Sequence, residues 1–336
     1  RKYLDYPALV VVGESPYNSV YLNNVVEVRS GANHNVALIK EQNENHTQYD
    51  VPEDKAFTSK NGYVFAWGDN SEGQFGKTTA QSSSYAPVRV DIPNDEVINH
   101  ISAEKNSNLA TTANNTVWAW GDNANGQMGA NGVSSAPVQI ASNGGGVWSS
   151  SNGVKGALNG GAGGDSMSVY ISDGTVWTWG SNDSGQLGSD TSSTPLPVMA
   201  EGVSNVVAIA AGADTSIALT ADGSVYTWGG GDSNASKVLD NATQVDAKGE
   251  QFTAVSVDGS AYAWNKNEAP TKVDGLSNVI TSAAGGNHAM AVLADGNVYT
   301  WGANESGQLG IGSVDDKSTP QKVSFDLAVG EYIIRI

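Results

Sequence analysis

"ADGSVYTWG" at residues 221–229 and "ADGNVYTWG" at 294–302 are the same nine residues but for one, written 73 positions apart. Asp222-Gly223 is a tight-turn pair, because glycine reaches the left-handed backbone angles of a two-residue hairpin without steric cost. The residues after it alternate as a strand does, with one side chain in two on each face. Four further copies keep the pattern: "KNGYVFAWG" (60–68), "ANNTVWAWG" (113–121), "SDGTVWTWG" (172–180) and "VDGSAYAWN" (257–265).

In every copy the second turn residue precedes a tryptophan by five. The turn residues are Gly62, Asn115, Gly174, Gly223, Gly259 and Gly296, and the tryptophans are Trp67, Trp120, Trp179, Trp228, Trp264 and Trp301. A constant turn-to-Trp distance means a constant register, since a slip of one residue would move every side chain to the opposite face. A second aromatic (Phe65, Trp118, Trp177, Tyr226, Tyr262 or Tyr299) stands two residues earlier and therefore shares the face of the Trp. The intervening Val, Ala and Thr are small, so both faces of the strand are expected to be covered.

Upstream of each turn lies an apolar partner strand such as "SIALT" (216–220) or "MAVLA" (290–294), and before it another such as "VVEVRSG" (25–31) or "VVAIAAG" (206–212). Downstream, four copies carry a glycine-rich turn, "GQFG" (73–76), "GQMG" (126–129), "GQLG" (185–188) and "GQLG" (307–310), followed by a proline-containing strand such as "APVRV" (86–90). One unit is thus four short strands, the composition of a propeller blade.

The pattern resembles the regulator of chromosome condensation repeat family, whose unit runs through a Val-rich strand, Gly-x-x-His, an apolar strand, Asp-Gly, Val-Tyr-x-Trp-Gly and Gly-Gln-Leu-Gly. The resemblance spans most of the 336 residues and implies an all-β fold, a single β-propeller domain over 1–336. His34 and His288 occupy the family's His position, three residues after Gly31 and Gly285, and are expected to be hydrogen-bonding frame residues.

Six Trp units do not by themselves fix the number of blades. The C-terminal "AVGEYIIRI" (328–336) has the form of the first half of a unit, and the N-terminal "ALVVVGESPYNSVYLNNVVEV" (8–28) that of the second half. Seven four-stranded blades are therefore expected, with a composite blade of N- and C-terminal strands closing the ring; six is the alternative. Closure would remove the free sheet edges that invite aggregation. A first residue of Arg1, with no signal-like stretch after it, suggests a processed form or an excerpt.

Two stretches depart from the repeat. Residues 40–60 enlarge the first hairpin turn and carry Tyr49 and Phe57; residues 141–164 put Trp148 into a Gly/Ser-rich segment. Long loops on a rigid frame are where binding residues concentrate, so these three aromatics are the candidate partner-binding residues. Two blades instead lack the Gly-Gln-x-Gly turn, at 229–237 and 265–272.

Chemistry is sought mostly in vain. The chain contains no cysteine, which excludes disulfides and thiol catalysis. His46 and His100 lie alone, without the spacing of a metal site. No nucleophile elbow or phosphate loop occurs. The loop acids Asp69, Glu72, Asp122, Asp183 and Glu305 lack the alternation of a calcium loop and are better explained by turn formation. No catalytic residue, cofactor or metal is expected, and the chain is not read as an enzyme. Glycan acceptor sequons occur at Asn45, Asn114, Asn182, Asn234, Asn241 and Asn304, a number that chance alone would nearly supply.

The formal charge is −18, from 35 acidic and 17 basic residues. No cluster of Lys and Arg is available to neutralise phosphates, which argues against nucleic acid and anionic membranes as partners. The family resemblance alone would imply nucleotide exchange on a small GTPase and docking on nucleosomes; the acidity argues against both. The composition, cysteine-free and rich in Asn, Ser and Thr, points to an extracellular or cell- or virion-surface location. The expected function is a non-catalytic propeller that binds another protein, or copies of itself, through its loop faces. The alternative is a structural subunit or decoration domain of a surface layer, appendage or virion; a secreted enzyme inhibitor or a carbohydrate-active propeller ranks lower.

Overall fold

The repeated turn-strand units fold into sheets in which sequence neighbours pair antiparallel, so that chain order and spatial order coincide. The computed structural model describes residues 11–12, 20–21, 25–40, 62–92, 96–129, 135–140, 157–171 and 173–325. Blade 1 comprises strands Val25–Ser30, His34–Ile39, Tyr63–Asp69 and Ser83–Arg89. Blade 2 comprises Ile98–Glu104, Ser107–Thr112, Val117–Gly121 and Val138–Gln139. Blade 3 follows with Ala157–Ala162, Ser166–Ile171, Val176–Gly180 and Thr194–Met199. Blade 4 has Val206–Ala211, Thr215–Thr220, Val225–Gly229 and Asp232–Leu239. Blade 5 has Ala242–Lys248, Gln251–Ser256, Ala261–Asn265 and Thr271–Lys272, and blade 6 has Val279–Ala284, His288–Leu293, Val298–Gly302 and Lys317–Lys322.

The core is divided among the blade interfaces. From blade 2 to blade 6, the Trp-bearing side of the blade packs on the opposite side of the one before. Between blades 1 and 2, Val36, Leu38 and Val64 meet Ile98, Ile101 and Trp120; between blades 3 and 4, Val176 and Ala200 meet Val206, Ile209 and Trp228. Trp120 and Trp179 are wholly buried. In each hairpin turn the second turn residue is left-handed, from Gly62 (φ 60°) to Gly296 (φ 81°), with Asn115 at 61° where the glycine is missing. The Asp before the glycine is not, and Gly223 N donates to Thr220 O, so the loop is one residue longer than the expected two-residue hairpin.

Six four-stranded blades are described, the alternative count rather than the expected seven. Of the composite blade, only a two-stranded hairpin is described, Val11–Val12 paired with Val20–Tyr21; its expected C-terminal half falls in 326–336, outside the described residues. Among the described residues no blade packs on the outer side of blade 1's inner strand. Val25 and Val28 are exposed, whereas Ile98, Ile101, Val206 and Ile209 at the same register are buried by the preceding blade.

The segment 141–164 is shorter as an insertion than its composition suggested. Its residues 157–162 form the inner strand of blade 3. "ALNGG" has little β-propensity, but the space demands glycine. A Cβ on Gly160 would lie 2.6 Å from the Ser168 carbonyl oxygen, and one on Gly161 would lie 2.7 Å from the Ala211 amide nitrogen. Tertiary pairing here overrides local preference.

Candidate functional site

The glycine-rich turns act as clasps between blades. In blade 1, Asn70 accepts the Phe75 amide at 2.8 Å, in blade 2 Asn123 accepts that of Met128, in blade 3 Asn182 that of Leu187, and in blade 6 Asn304 that of Leu309. Each turn so shaped buries its apolar residue, and in blades 1, 2 and 3 it presents the Gln carbonyl to the next blade. Trp120 Nε1 donates to Gln74 O (3.0 Å), Trp179 Nε1 to Gln127 O (2.8 Å) and Trp228 Nε1 to Gln186 O (3.0 Å). In blades 3 and 6 the residue before the Trp adds a second tie within the blade. Thr178 Oγ1 donates to Leu187 O (2.6 Å) and Thr300 Oγ1 to Leu309 O (2.8 Å).

A second set of ties runs along the inner strands, whose outer edges would otherwise present unpaired backbone groups. Glu27, His100 and Gln244 occupy one register position, and each reaches the backbone of the next blade. Glu27 Oε2 accepts the Ile101 amide (3.1 Å), His100 Nε2 lies 3.1 Å from Gly160 O, and Gln244 Oε1 accepts the Ser282 amide (3.0 Å). Two residues further on, Ser102 Oγ accepts the Ala162 amide (3.0 Å) and Asp246 Oδ2 the Ala284 amide (2.9 Å).

His100 also sets its Nδ1 2.7 Å from Glu27 Oε1. Its two neighbours are thus both acceptor groups, a carboxylate and a backbone carbonyl. Burial would raise the Glu27 carboxyl, but the hydrogen bond from His100 and the charges of His100 and Arg29 outweigh it and hold Glu27 below its ordinary range. Asp246 is driven the other way, upward, chiefly by burial. Across the axis, Lys248 of blade 5 pairs with Glu104 of blade 2 (2.6 Å) and donates to the carbonyls of Ala103 (3.0 Å) and Ser30.

These inner-strand polar residues were not singled out by sequence; His100 was read as isolated. The signal that would have found it is register, since His100 aligns with Glu27 and Gln244 when the inner strands are superposed. Among the described residues no group of three or more His, Asp or Glu side chains is arranged to hold a metal ion.

Residues 55–335 match the RCC1-like domain. The chain belongs to that family. Within its length, 138 residues are 30% identical to the human probable E3 ubiquitin-protein ligase HERC6; the match covers 40% of this chain and 13% of that protein. Among solved structures, human WBSCR16 superposes with a TM-score of 0.75 at 18% identity, over 94% of this chain and 90% of that one. Prp20p of Saccharomyces cerevisiae, described for its binding to Gsp1p and histones, superposes with a TM-score of 0.72 at 19% identity, over 96% and 88%. Identities at this level speak to the fold alone.

The strand order of this RCC1-like domain gives its two faces different loops. One face carries the turns between first and second strands and the clasps. The other carries the hairpin turns between second and third strands and the connections between blades. The enlarged connections, between Lys40 and Gly62 and between Ile140 and Ala157, both leave the frame from this second face. Trp148, Tyr49 and Phe57 themselves lie outside the described residues. The same face exposes apolar side chains at the starts of inner strands, Val26, Val207 (46%) and Ile280 (45%), and Val257 (73%) in a hairpin turn.

The histidines of the RCC1-like repeat sit against their glycines. His34 is buried, with Nε2 2.7 Å from Asn108 Oδ1 in the next blade. A Cβ on Gly31 would fall 2.1 Å from His34 Cε1, and one on Gly285 would fall 2.2 Å from His288 Cε1. Burial lowers the affinity of both imidazoles for a proton. The loop acids shape turns: Asp69 accepts the Ser71 amide and hydroxyl, and Asp122 accepts the Ala124 amide. Two sequon asparagines are committed to clasps. Asn304 is fully buried and Asn182 donates to Ser189 O, while Asn114, Asn234 and Asn241 are exposed. Asn45 lies outside the described residues.

Proposed function

We propose that the protein is a non-catalytic interaction module, binding another protein through the face from which both enlarged connections depart. One observation carries this reading: the two departures from the repeat share a face, and that face exposes Val26, Val207, Val257 and Ile280. Exposed apolar side chains beside long loops on a rigid frame are the usual makings of a protein interface. The polar groups at the axis, by contrast, are engaged in holding blades together. We place the interaction outside the cell, on a cell or virion surface; the absence of cysteine and the charge of −18 support that location.

Cross-linking mass spectrometry on the protein in its native source tests this reading. Links from Lys40 or other residues of that face to one different protein are expected. Links mainly between copies of the chain would favour a lattice or filament subunit instead, and links confined to the clasp-bearing face would overturn the choice of face.

A further inference from the structure

The clasp between blades 4 and 5 is missing, yet the groups that would receive it remain. Blade 4 passes directly from Gly229 to its outer strand Asp232–Leu239, with no Gly-Gln-x-Gly turn. Trp264 stands in the register of Trp120, Trp179 and Trp228, but its indole N–H has no acceptor among the described residues. Thr227 stands in the register of Thr178 and Thr300, the two residues that donate to the clasp's apolar residue, and its hydroxyl likewise has no partner among the described residues. Both side chains line a cavity of about 170 Å³ between the two blades. Thr215 lines it as well, and its Oγ1 is buried without a hydrogen bond. Phe252 takes the place held by Asn108, Met167 or Ser216 at clasped interfaces, and its ring centroid lies 5.5 Å from that of Trp264.

Of the three, Thr215 Oγ1 is the fully buried one, and an unpaired buried donor costs about 1–3 kcal/mol; the donors of Trp264 and Thr227 stand at the cavity wall, open to an incoming acceptor. At three other interfaces the indole donor is met by the backbone of a glycine-flanked turn. We propose that this cavity is a docking slot for a turn of the same chemistry supplied by a partner protein. That turn would present one carbonyl to Trp264 Nε1, the next carbonyl to Thr227 Oγ1, and an apolar side chain of about leucine size to the cavity. The four internal clasps define the occupant: their buried residues are Phe75, Met128, Leu187 and Leu309. The slot opens on the clasp-bearing face and is independent of the interface proposed above.

The probe is a cyclised heptapeptide with the sequence of residues 182–188, Asn-Asp-Ser-Gly-Gln-Leu-Gly, added to the full chain carrying ¹⁵N-labelled tryptophan. The Trp264 indole resonance is expected to shift downfield as its N–H acquires an acceptor, while the Trp179 and Trp228 resonances stay put. Trp264→Phe and Thr227→Val should each weaken peptide binding about tenfold, and replacing the peptide's leucine by aspartate should abolish it. Grafting the same seven residues between Gly229 and Asp232 should fill the slot from within. In that variant the Trp264 resonance sits downfield without peptide, and peptide binding falls to background. A Trp264 resonance unmoved at millimolar peptide, equal affinities across the variants, or peptide binding undiminished by the graft would each overturn the proposal.

Discussion

Trp228 of blade 4 donates its indole N–H to the carbonyl of Gln186 in blade 3 at 3.0 Å. The donor belongs to the Trp-Gly half of one repeat and the acceptor to the Gly-Gln-Leu-Gly half of the repeat before it. The two most regular motifs in the chain are therefore the two sides of one joint, made at successive blade boundaries.

Substitutions at that joint should reveal it. Trp179→Phe keeps an aromatic ring but strands the buried Gln127 carbonyl, which adds about 1–3 kcal/mol to the cost of lost packing. Trp264→Phe has no such bond to lose. Urea unfolding of the two variants should show the larger fall in midpoint for Trp179→Phe; equal falls would remove the joint from the account.

The glycines beneath the repeat histidines give a paired prediction. The three atoms nearest a Cβ on Gly285 all belong to the His288 ring, at 2.2–2.6 Å, so Gly285→Ala should destabilise and His288→Ala should largely restore it. A Cβ on Gly31 meets His34 and also the Lys105 carbonyl oxygen at 2.5 Å, so Gly31→Ala should resist rescue by His34→Ala. Thermal melts of the single and double variants decide the matter, and equal rescue at both positions would contradict it.

The strand count per unit, the register of the Trp and the turn positions were legible in the sequence because each rests on local geometry that six copies repeat. The number of blades was not: strand-like patterning at the two ends says nothing about whether they pair. The inner strand of blade 3 was missed because Gly160 and Gly161 are there for close approach to Ser168 and Ala211, a requirement visible only in three dimensions. The ties at the axis were hidden for a related reason, since Glu27, His100 and Gln244 differ in chemistry and share only a register.

Glu27 should make stability depend on acid. Its carboxyl is held below the ordinary value of 4.5, so the folded state binds that proton less tightly than the unfolded chain. The stabilisation is fully present above the unfolded value and is lost as pH falls through the lower folded value. Glu27→Gln should flatten that part of the curve of urea midpoint against pH; an unchanged acid limb would show that the tie to His100 contributes nothing.

Burial separates the glycan sequons. In a host that attaches N-glycans, Asn114 and Asn234 are open to modification, whereas Asn304 should stay bare because its side chain accepts from Leu309 N and donates to Ser313 O and Asp315 O. Asn304→Ala should cost about 1–3 kcal/mol through the backbone groups it leaves unpaired. Glycopeptide mass spectrometry finding Asn304 occupied in folded protein would contradict that role.

The most direct test of the interaction reading is the affinity for the cross-linked partner of a Val207→Asp, Ile280→Asp variant, set against Val314→Asp on the opposite face. All three side chains are exposed, so the variants should fold as the parent does. A loss of a hundredfold or more in the double variant, with the control unchanged, is the predicted result. Unchanged affinity in the double variant would place the interface elsewhere and contradict the account.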